Sequence, residues 1–427
     1  MSDEPLAGDP TKAVRAPARR DQTRLRMVLL ALVGLSMAGW AAGRIFSAGR
    51  EDPQQLWEEA RTALSSGRLD QAEATLERLA QRRPATLADR LLRAQVARER
   101  GQLDRALAAL DGSPDAEPGA AVIERTRGML EFERDRGRAA EAALLRALAL
   151  DPKLAEARRD LLNVYTVQSR RRELSAQFRE LSALGTLSFG DLYHWCLGRR
   201  LDVGPAELAA KLERMVQNDP DDRSARLALA ENLRRLGRLA EAETALAPMS
   251  ADDPEARAAR ARLALDRGTA DLAALLLAEG PPDHPALGRL RGRLALARGD
   301  ASAVGHYRAA LAAEPDDRDS LFGLGQALRL AGQSDAAQPY LQAARDRDRL
   351  EWLIENARSL SQRDDPKVLG AIGDSCRSVR HFPEAHAWYR LALSRNPLNG
   401  ELQKRLFEMD RAIIGDVQQN DRARLKD

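Results

Sequence analysis

Histidine is the residue through which this chain could most readily bind a metal ion. Its five histidines are His194, His284, His306, His381 and His386. The last two are five residues apart, so they do not share a helix face as a metal-binding pair at i and i+4 would, and the sequence H-E-x-x-H does not occur. We therefore predict no metal site.

Other chemistry is disfavoured by context. Cys196 and Cys376 stand far apart and form no C-x-x-C pair, so the sequence supports neither a disulfide framework nor a zinc knuckle, and we expect two small buried apolar residues. Residues 322–325 (FGLG) look like a glycine-rich phosphate loop, but they lie in a helical pattern with no preceding strand. Ser, Asp and Glu show no nucleophile elbow and no paired carboxylates. The prediction is a protein that is not an enzyme and that binds no cofactor and no small-molecule substrate.

The composition favours helices and disfavours polyanions as partners. Lys and Arg number 67 against 64 for Asp and Glu, so the net charge of +3 creates no strong positive field, and we predict no nucleic-acid binding. Aromatic residues make up only 4%, while Ala, Leu, Arg and Glu dominate, which is typical of long helical structures. This abundance of Ala, Arg and Leu also fits a bacterial protein.

Regularly spaced prolines and glycines indicate the elements that would position functional side chains. Proline cannot continue a helix, so its recurrence at a fixed spacing, broken only at Thr186, indicates helix pairs that end at regular intervals. These prolines are Pro84, Pro118, Pro152, Pro220 and Pro254. Glycine supplies the left-handed turn between the two helices of a pair. The predicted turn glycines are Gly67, Gly101, Gly137, Gly237, Gly268, Gly299 and Gly332.

The side chains between these turns follow a known pattern. In residues 368–397 a series of large, large, small, small, aromatic, small and proline positions is held by Leu369, Ile372, Gly373, Ala385, Tyr389, Ala392 and Pro397. Residues 219–249 and 318–344 carry close copies. The chain therefore resembles the tetratricopeptide repeat family, whose helix-turn-helix units recur at the same spacing as these prolines. The resemblance implies an all-α right-handed superhelix of antiparallel helix pairs, an α-solenoid.

The ends of the chain depart from the repeat. Residues 27–46 are almost free of charge and long enough to cross a bilayer, so we predict a single transmembrane helix there. A cleaved signal peptide and a buried core helix are the alternatives. The predicted organisation is a disordered basic tail at 1–26, the transmembrane helix at 27–46, about ten hairpins over 53–397 with an extra helix at about 347–363, a capping helix at 398–414 and a flexible tail at 415–427.

The charge around the apolar segment predicts its orientation. Six basic residues precede it and fewer follow in the comparable window, so by the positive-inside bias the N-terminus is cytoplasmic and the repeat domain is exported to the periplasm. The alternative is a cytoplasmic repeat domain.

The resemblance also suggests where a partner binds, because the polar side of the first helix of each pair faces the concave groove in this family. An arginine recurs at equivalent places there and would bind carboxylates through its planar fork. The candidate groove residues are Arg98, Arg159, Asn163, Glu231, Arg234, Arg235, Arg329 and Arg377. The predicted function is a membrane-anchored scaffold or adaptor that binds protein partners in cell-envelope organisation. The alternative is a cytoplasm-facing regulatory subunit of an envelope-synthesis enzyme or assembly complex.

Overall fold

The computed structural model describes residues 52–112, 118–185, 187–197, 204–359 and 361–424, and all regular structure in these ranges is helical. The described residues form 21 helices, which confirms the prediction of an all-α protein. The chain divides into two compact units between Arg100 and Gly101. The first unit contains α1–α3 and the second contains α4–α21.

The helices have these bounds: α1 Pro53–Ser65, α2 Leu69–Arg82, α3 Leu87–Glu99, α4 Leu103–Ala109, α5 Ala120–Glu133, α6 Gly137–Leu150, α7 Ala155–Val167, α8 Arg171–Leu184, α9 Phe189–Leu197, α10 Pro205–Asn218, α11 Arg223–Arg235, α12 Leu239–Leu246, α13 Pro254–Asp266, α14 Ala270–Ala278, α15 Pro285–Ala297, α16 Ala303–Ala313, α17 Arg318–Leu330, α18 Ser334–Asn356, α19 Pro366–Ser378, α20 Phe382–Arg395 and α21 Gly400–Arg424.

Aspartate and proline mark where several first helices begin. The carboxylates before α1, α11, α13, α17 and α19 accept a hydrogen bond from a backbone N–H of the first turn, which satisfies a donor that the helix itself cannot pair. In α1, α13 and α19 a proline follows at the first helical position, where no N–H is needed. This local chemistry explains Pro254 of the predicted series, whereas Pro84, Pro118, Pro152 and Pro220 lie in the loops that precede the next helix.

The turn inside each pair needs one residue in the left-handed region. Glycine holds it at Gly67, Gly237, Gly268, Gly299 and Gly332, with φ between 70° and 78°. Three other turns place a residue with a side chain there, with φ of 57°, 56° and 63° respectively. These residues are Asp135, Ser169 and Arg380.

The prediction that Gly137 is a turn glycine is wrong. The left-handed residue of that turn is Asp135, and Gly137 is the first residue of α6. A Cβ at 137 would lie 2.7 Å from Nε2 of Gln168 and 2.9 Å from Cε of Met215, so these side chains would have to shift to admit one.

Glycine on a first helix lets the second helix of the same pair approach closely. A Cβ at Gly292 would lie 2.8 Å from the Tyr307 ring, and one at Gly325 would lie 2.5 Å from the Leu341 side chain. Gly323, in the FGLG segment, also contacts Tyr307. Both glycines of that segment therefore lie inside α17 at packing positions, as the helical pattern predicts.

The helices α9 and α10 do not form one of the hairpins predicted over 53–397. Instead, α9 packs against α8, α18 and α20, whereas α10 packs against α11. The reason lies in the composition of α9, FGDLYHWCL, which buries Leu192, Tyr193 and Trp195 and therefore needs apolar cover on more than one side.

The helix α10 docks on the turn between α5 and α6. The carboxylate of Asp135 accepts hydrogen bonds from Nζ of Lys211 and Nε of Arg214, both at 2.6 Å. The side chain of Asn218 donates to the carbonyl of Arg134 at 2.8 Å. These bonds fix the left-handed conformation of Asp135, which is otherwise costly for a residue with a side chain.

The extra helix predicted at 347–363 is not a separate element. The second helix of its pair, α18, continues unbroken for 23 residues and ends at Asn356. No glycine or proline interrupts the chain between Ala344 and Leu350, and Leu350 and Ile354 are buried. The final helix, α21, buries Leu402 and Met409, and it extends to Arg424 rather than ending at 414.

The prediction of a single-pass membrane protein is corrected by the structure. None of the helices within residues 52–424, with the gaps given above, is long and apolar enough to cross a bilayer. The two longest, α18 and α21, carry charged residues throughout. The segment 27–46, to which the span was assigned, and the tail 1–26 lie outside the described residues.

Candidate functional site

The first helices of four successive pairs form a continuous row in the second unit. The helix α11 contacts α13, α13 contacts α15, and α15 contacts α17. We call the surface made by these four helices the first-helix row. Because neighbouring first helices touch directly, side chains at equivalent places in consecutive repeats can form ion pairs across the row.

A single carboxylate organises the polar side of this row. Glu231 of α11 accepts two hydrogen bonds from Arg234, at 2.9 and 3.1 Å, and one from Nε of Arg235 at 2.9 Å. Nη1 of Arg262, on α13, donates a further bond to Glu231 at 3.1 Å. Three guanidinium groups thus converge on one carboxylate, and we call Glu231, Arg234, Arg235 and Arg262 the Glu231 cluster.

Further ion pairs connect neighbouring helices of the row. Nη1 of Arg234 donates to Asp266 of α13 at 2.6 Å. Nη1 of Arg289 on α15 donates at 2.9 Å to Asp317. The same Asp317 carboxylate caps α17 through the N–H of Ser320. Each of these arginines therefore joins two consecutive repeats.

The pKa of Glu231 reflects this crowding of positive charge. Burial raises that pKa, but the hydrogen bond from Arg234 and the charges of Arg262, Arg234 and Arg235 outweigh burial and lower it to about 2. Burial lowers the pKa of the Arg262 guanidinium; the Glu231 charge opposes this, and the charges of Arg289 and Arg234 add to it. Positive charge is in excess at this point of the row.

The arrangement is suited to binding an anion and not to catalysing a reaction. The side chains of Glu231 and Arg234 are 23% and 22% exposed and are fixed by their mutual bonds, whereas Arg235 is 61% exposed. A planar guanidinium held near other cations is suited to a carboxylate, which it can bind through two parallel hydrogen bonds. Among the described residues, no group of three or more His, Cys, Asp and Glu could hold a metal ion.

The other predicted groove residues lie outside the Glu231 cluster. Arg98 is in the last turn of α3, in the first unit. Arg159 of α7 forms an ion pair with Asp191 at 2.8 Å. Arg377 of α19 pairs with Glu408 of α21 at 3.0 Å. Arg329 is exposed in the last turn of α17. Of these four, only Arg329 is on the first-helix row.

Asn163 lies beside a small cleft of the second unit. The cleft has a volume of about 130 Å³ and is also lined by Phe132 of α5, Leu144 of α6 and Asp160 of α7. Asp160 accepts a hydrogen bond from Nε of Arg125 at 2.6 Å. On the neighbouring helix α9, the hydroxyl of Tyr193 donates to Glu355 at 2.9 Å.

Sequence reasoning brought three members of the Glu231 cluster together and missed Arg262 and Asp266. A signal for Arg262 was present. Its distance from Glu231 along the chain equals the distance between the turn glycines Gly237 and Gly268, so it takes the place of Glu231 on the next first helix. Extending the repeat register along the chain would have identified it.

Two sequence models of the tetratricopeptide repeat family match the chain. One matches residues 209–265, which include the Glu231 cluster, and the other matches residues 58–121 and 289–351. No curated protein matches.

Several solved structures are similar to the chain. The hetero-tetramer of Cut9 and Hcn1 from the APC/C is 14% identical over 92% of this chain and 96% of that chain, with a TM-score of 0.33. A tetratricopeptide repeat protein from Parabacteroides merdae ATCC 43184 is 17% identical, over 68% and 98% of the two chains, with a TM-score of 0.24. The human IFIT1 dimer with PPP-AAAA is 16% identical, over 86% and 89%, with a TM-score of 0.32. The absence of nucleic-acid binding stays a prediction.

Proposed function

We propose that this chain, a tetratricopeptide repeat protein, is a scaffold without catalytic activity that binds an acidic segment of a protein partner along its first-helix row. The observation that carries the proposal is the Glu231 cluster, in which three arginines share one carboxylate. The excess guanidinium charge is held on a rigid surface, so a partner's carboxylates would meet donors that are already oriented.

Some side chains of the first-helix row hold the repeats together, and others are exposed to a partner. Leu229 and Leu233 of α11 are buried, and they stack the repeats. Arg234 is also structural, because it links Glu231 to Asp266 across two helices. Arg235 and Arg329 are exposed arginines of the row, and we assign them as contacts that a partner would use. They lie at opposite ends of the row, so a bound segment would be extended along it.

A random peptide library selected on the full chain tests this proposal. We expect the recovered peptides to be enriched in Asp and Glu, and to bind more weakly as salt concentration rises, since exposed charges are screened. Affinity is measured by fluorescence anisotropy with the purified chain.

Charge reversal then locates the contact. The variant R235E/R329E reverses the charge of an exposed arginine at each end of the row and should weaken peptide binding at least about tenfold. The control R179E/R308E makes the same change of charge at exposed arginines on the second helices α8 and α16 and should bind normally. Peptides without acidic enrichment, or equal affinity of the two variants, would refute the proposal.

A further inference from the structure

The helix α21 carries apolar side chains on two different sides. Leu402 and Met409 are buried in the apolar cluster that also contains Trp388 of α20. Phe407 and Ile414, in contrast, are 62% and 58% exposed. Each pair is spaced so that both of its members lie on one side of the helix. Phe407 follows Leu402 by about 140° of helix rotation, so the second pair points away from the cluster that buries the first.

Two opposite charges lie between the exposed apolar residues. Asp410 and Arg411 are both exposed. Asp410 pairs with Nε2 of His386 at 3.1 Å, and Arg411 forms no hydrogen bond or ion pair with the part of the chain that the structure describes. The order along the helix is therefore apolar, acidic, basic and apolar. We call Phe407, Asp410, Arg411 and Ile414 the outer face of α21.

This order of side chains is complementary to itself. If two copies of α21 pack antiparallel with Phe407 of one copy opposite Ile414 of the other, Asp410 of each copy lies opposite Arg411 of the other. Both apolar residues then leave water, and both charges gain a counter-ion. A parallel pair would instead place Asp410 against Asp410 and Arg411 against Arg411, which repulsion between like charges disfavours.

We propose that the outer face of α21 binds a second copy of this chain and forms a homodimer with twofold symmetry. A twofold interface uses the same patch on both copies, so that if one residue contacts another across it, the reverse contact also exists. The outer face meets this condition, because the midpoint between 407 and 414 is also the midpoint between 410 and 411. Repeat arrays normally present a polar surface at their terminal units, and the dimer covers the apolar residues that depart from this rule.

The outer face shares no residue with the first-helix row. Dimerisation and the binding of acidic peptides are therefore separate properties, and either can fail without the other.

Sedimentation velocity of the purified full chain over a range of concentrations tests for the dimer. We expect the mass to rise from one chain to two as concentration increases. The variant F407E/I414E places a carboxylate at each apolar position of the contact and should weaken dimerisation at least about tenfold. The control L272E/L275E makes the same change at two exposed leucines of α14 and should dimerise as the parent does.

Charge variants test the antiparallel order. D410R leaves two positive charges on the outer face, and R411D leaves two negative charges. Each variant alone should dimerise at least about tenfold more weakly than the parent, because like charges then meet across the contact. An equimolar mixture of the two should recover dimerisation, since every arginine in the mixed dimer faces an aspartate. Recovery also shows that both variants are folded, so this result decides even if F407E/I414E does not fold.

Three results would overturn the proposal. A parent chain that stays monomeric up to its solubility limit would mean that something other than a second copy covers the outer face. A dimer that F407E/I414E leaves intact would place the interface elsewhere. A mixture of D410R and R411D that dimerises no better than its components would contradict the antiparallel contact.

Discussion

The first-helix row and the contact between α9 and α20 are two solutions to the problem of burying one helix against another. In the row, each helix packs on a neighbour that is one repeat away, with Ala225, Leu229 and Leu233 of α11 at the buried places. The α9 contact joins elements that are far apart in the chain and relies on aromatic rings, with Phe189 and Tyr193 on one side and Trp388 on the other.

The difference shows which helix contacts the repeat sequence specifies locally and which it does not. Small residues and short turns let a pair form from local sequence, and stacking then buries one face of each pair. The aromatic contact has no such local basis, because α9 is short and apolar on several sides. The α9 contact brings together aromatic rings, whereas the row brings together charges.

The largest expected loss of stability follows the removal of the Trp388 side chain, which tests the contact between α9 and α20. Its side chain is fully buried between α9 and the last repeats, so W388A should lower the free energy of unfolding by about 4 kcal/mol. Urea-induced unfolding followed by circular dichroism measures the loss.

The matched control is Trp352, whose side chain on α18 is 63% exposed. W352A should change stability by no more than about 0.5 kcal/mol. Equal losses in the two variants would mean that the contact between α9 and α20 adds nothing beyond ordinary surface packing.

Adding a methyl group at a packed glycine tests how tightly the regular repeats are stacked. A Cβ at Gly323 of α17 would lie 2.3 Å from Cζ of Tyr307, whose ring also fills the space at Gly292 and cannot move aside. G323A should therefore lower the free energy of unfolding by about 2 kcal/mol. G305A, on the exposed side of α16 with no atom within 4 Å of the new Cβ, should instead raise it by about 0.5–1 kcal/mol. A neutral G323A would show that neighbouring repeats repack freely.

The same contrast explains what the sequence could reveal. The turn at Gly237 could be predicted from the sequence because glycine adopts its φ of 75° without strain. The turn at Asp135 could not be predicted, because the left-handed conformation of Asp135 depends on Lys211 and Arg214 of a distant helix. The positions of Glu231, Arg234 and Arg235 followed from the repeat register, and that of Arg262 could have followed from it. No register connects α9 with α20.

The charge of the Glu231 cluster can be tested by pH. The pKa of Glu231 is lowered from 4.5 to about 2 in the folded chain, so its stabilising contribution is present above pH 4.5 and is lost as pH falls towards 2. E231Q should be less stable than the parent by about 1–2 kcal/mol near neutral pH. That difference should shrink below about pH 4. Urea unfolding at a series of pH values measures it, and parallel curves for the two proteins would contradict the assignment.

The smallest expected effect concerns the turns within helix pairs whose left-handed residue is not glycine. Ser169 is exposed and has a φ of 56°, which costs energy for any residue with a Cβ. S169G should raise the free energy of unfolding by about 0.5–1 kcal/mol, because relief of this strain outweighs the added freedom of the unfolded chain. The reverse change, G237S, places the same side chain at a φ of 75° in an otherwise equivalent turn and should destabilise the chain by about 1 kcal/mol. Opposite signs for the two variants would show that these turns obey one local rule along the ladder. A loss in both would mean instead that the Ser169 turn is fixed by its own surroundings, as the Asp135 turn is by α10.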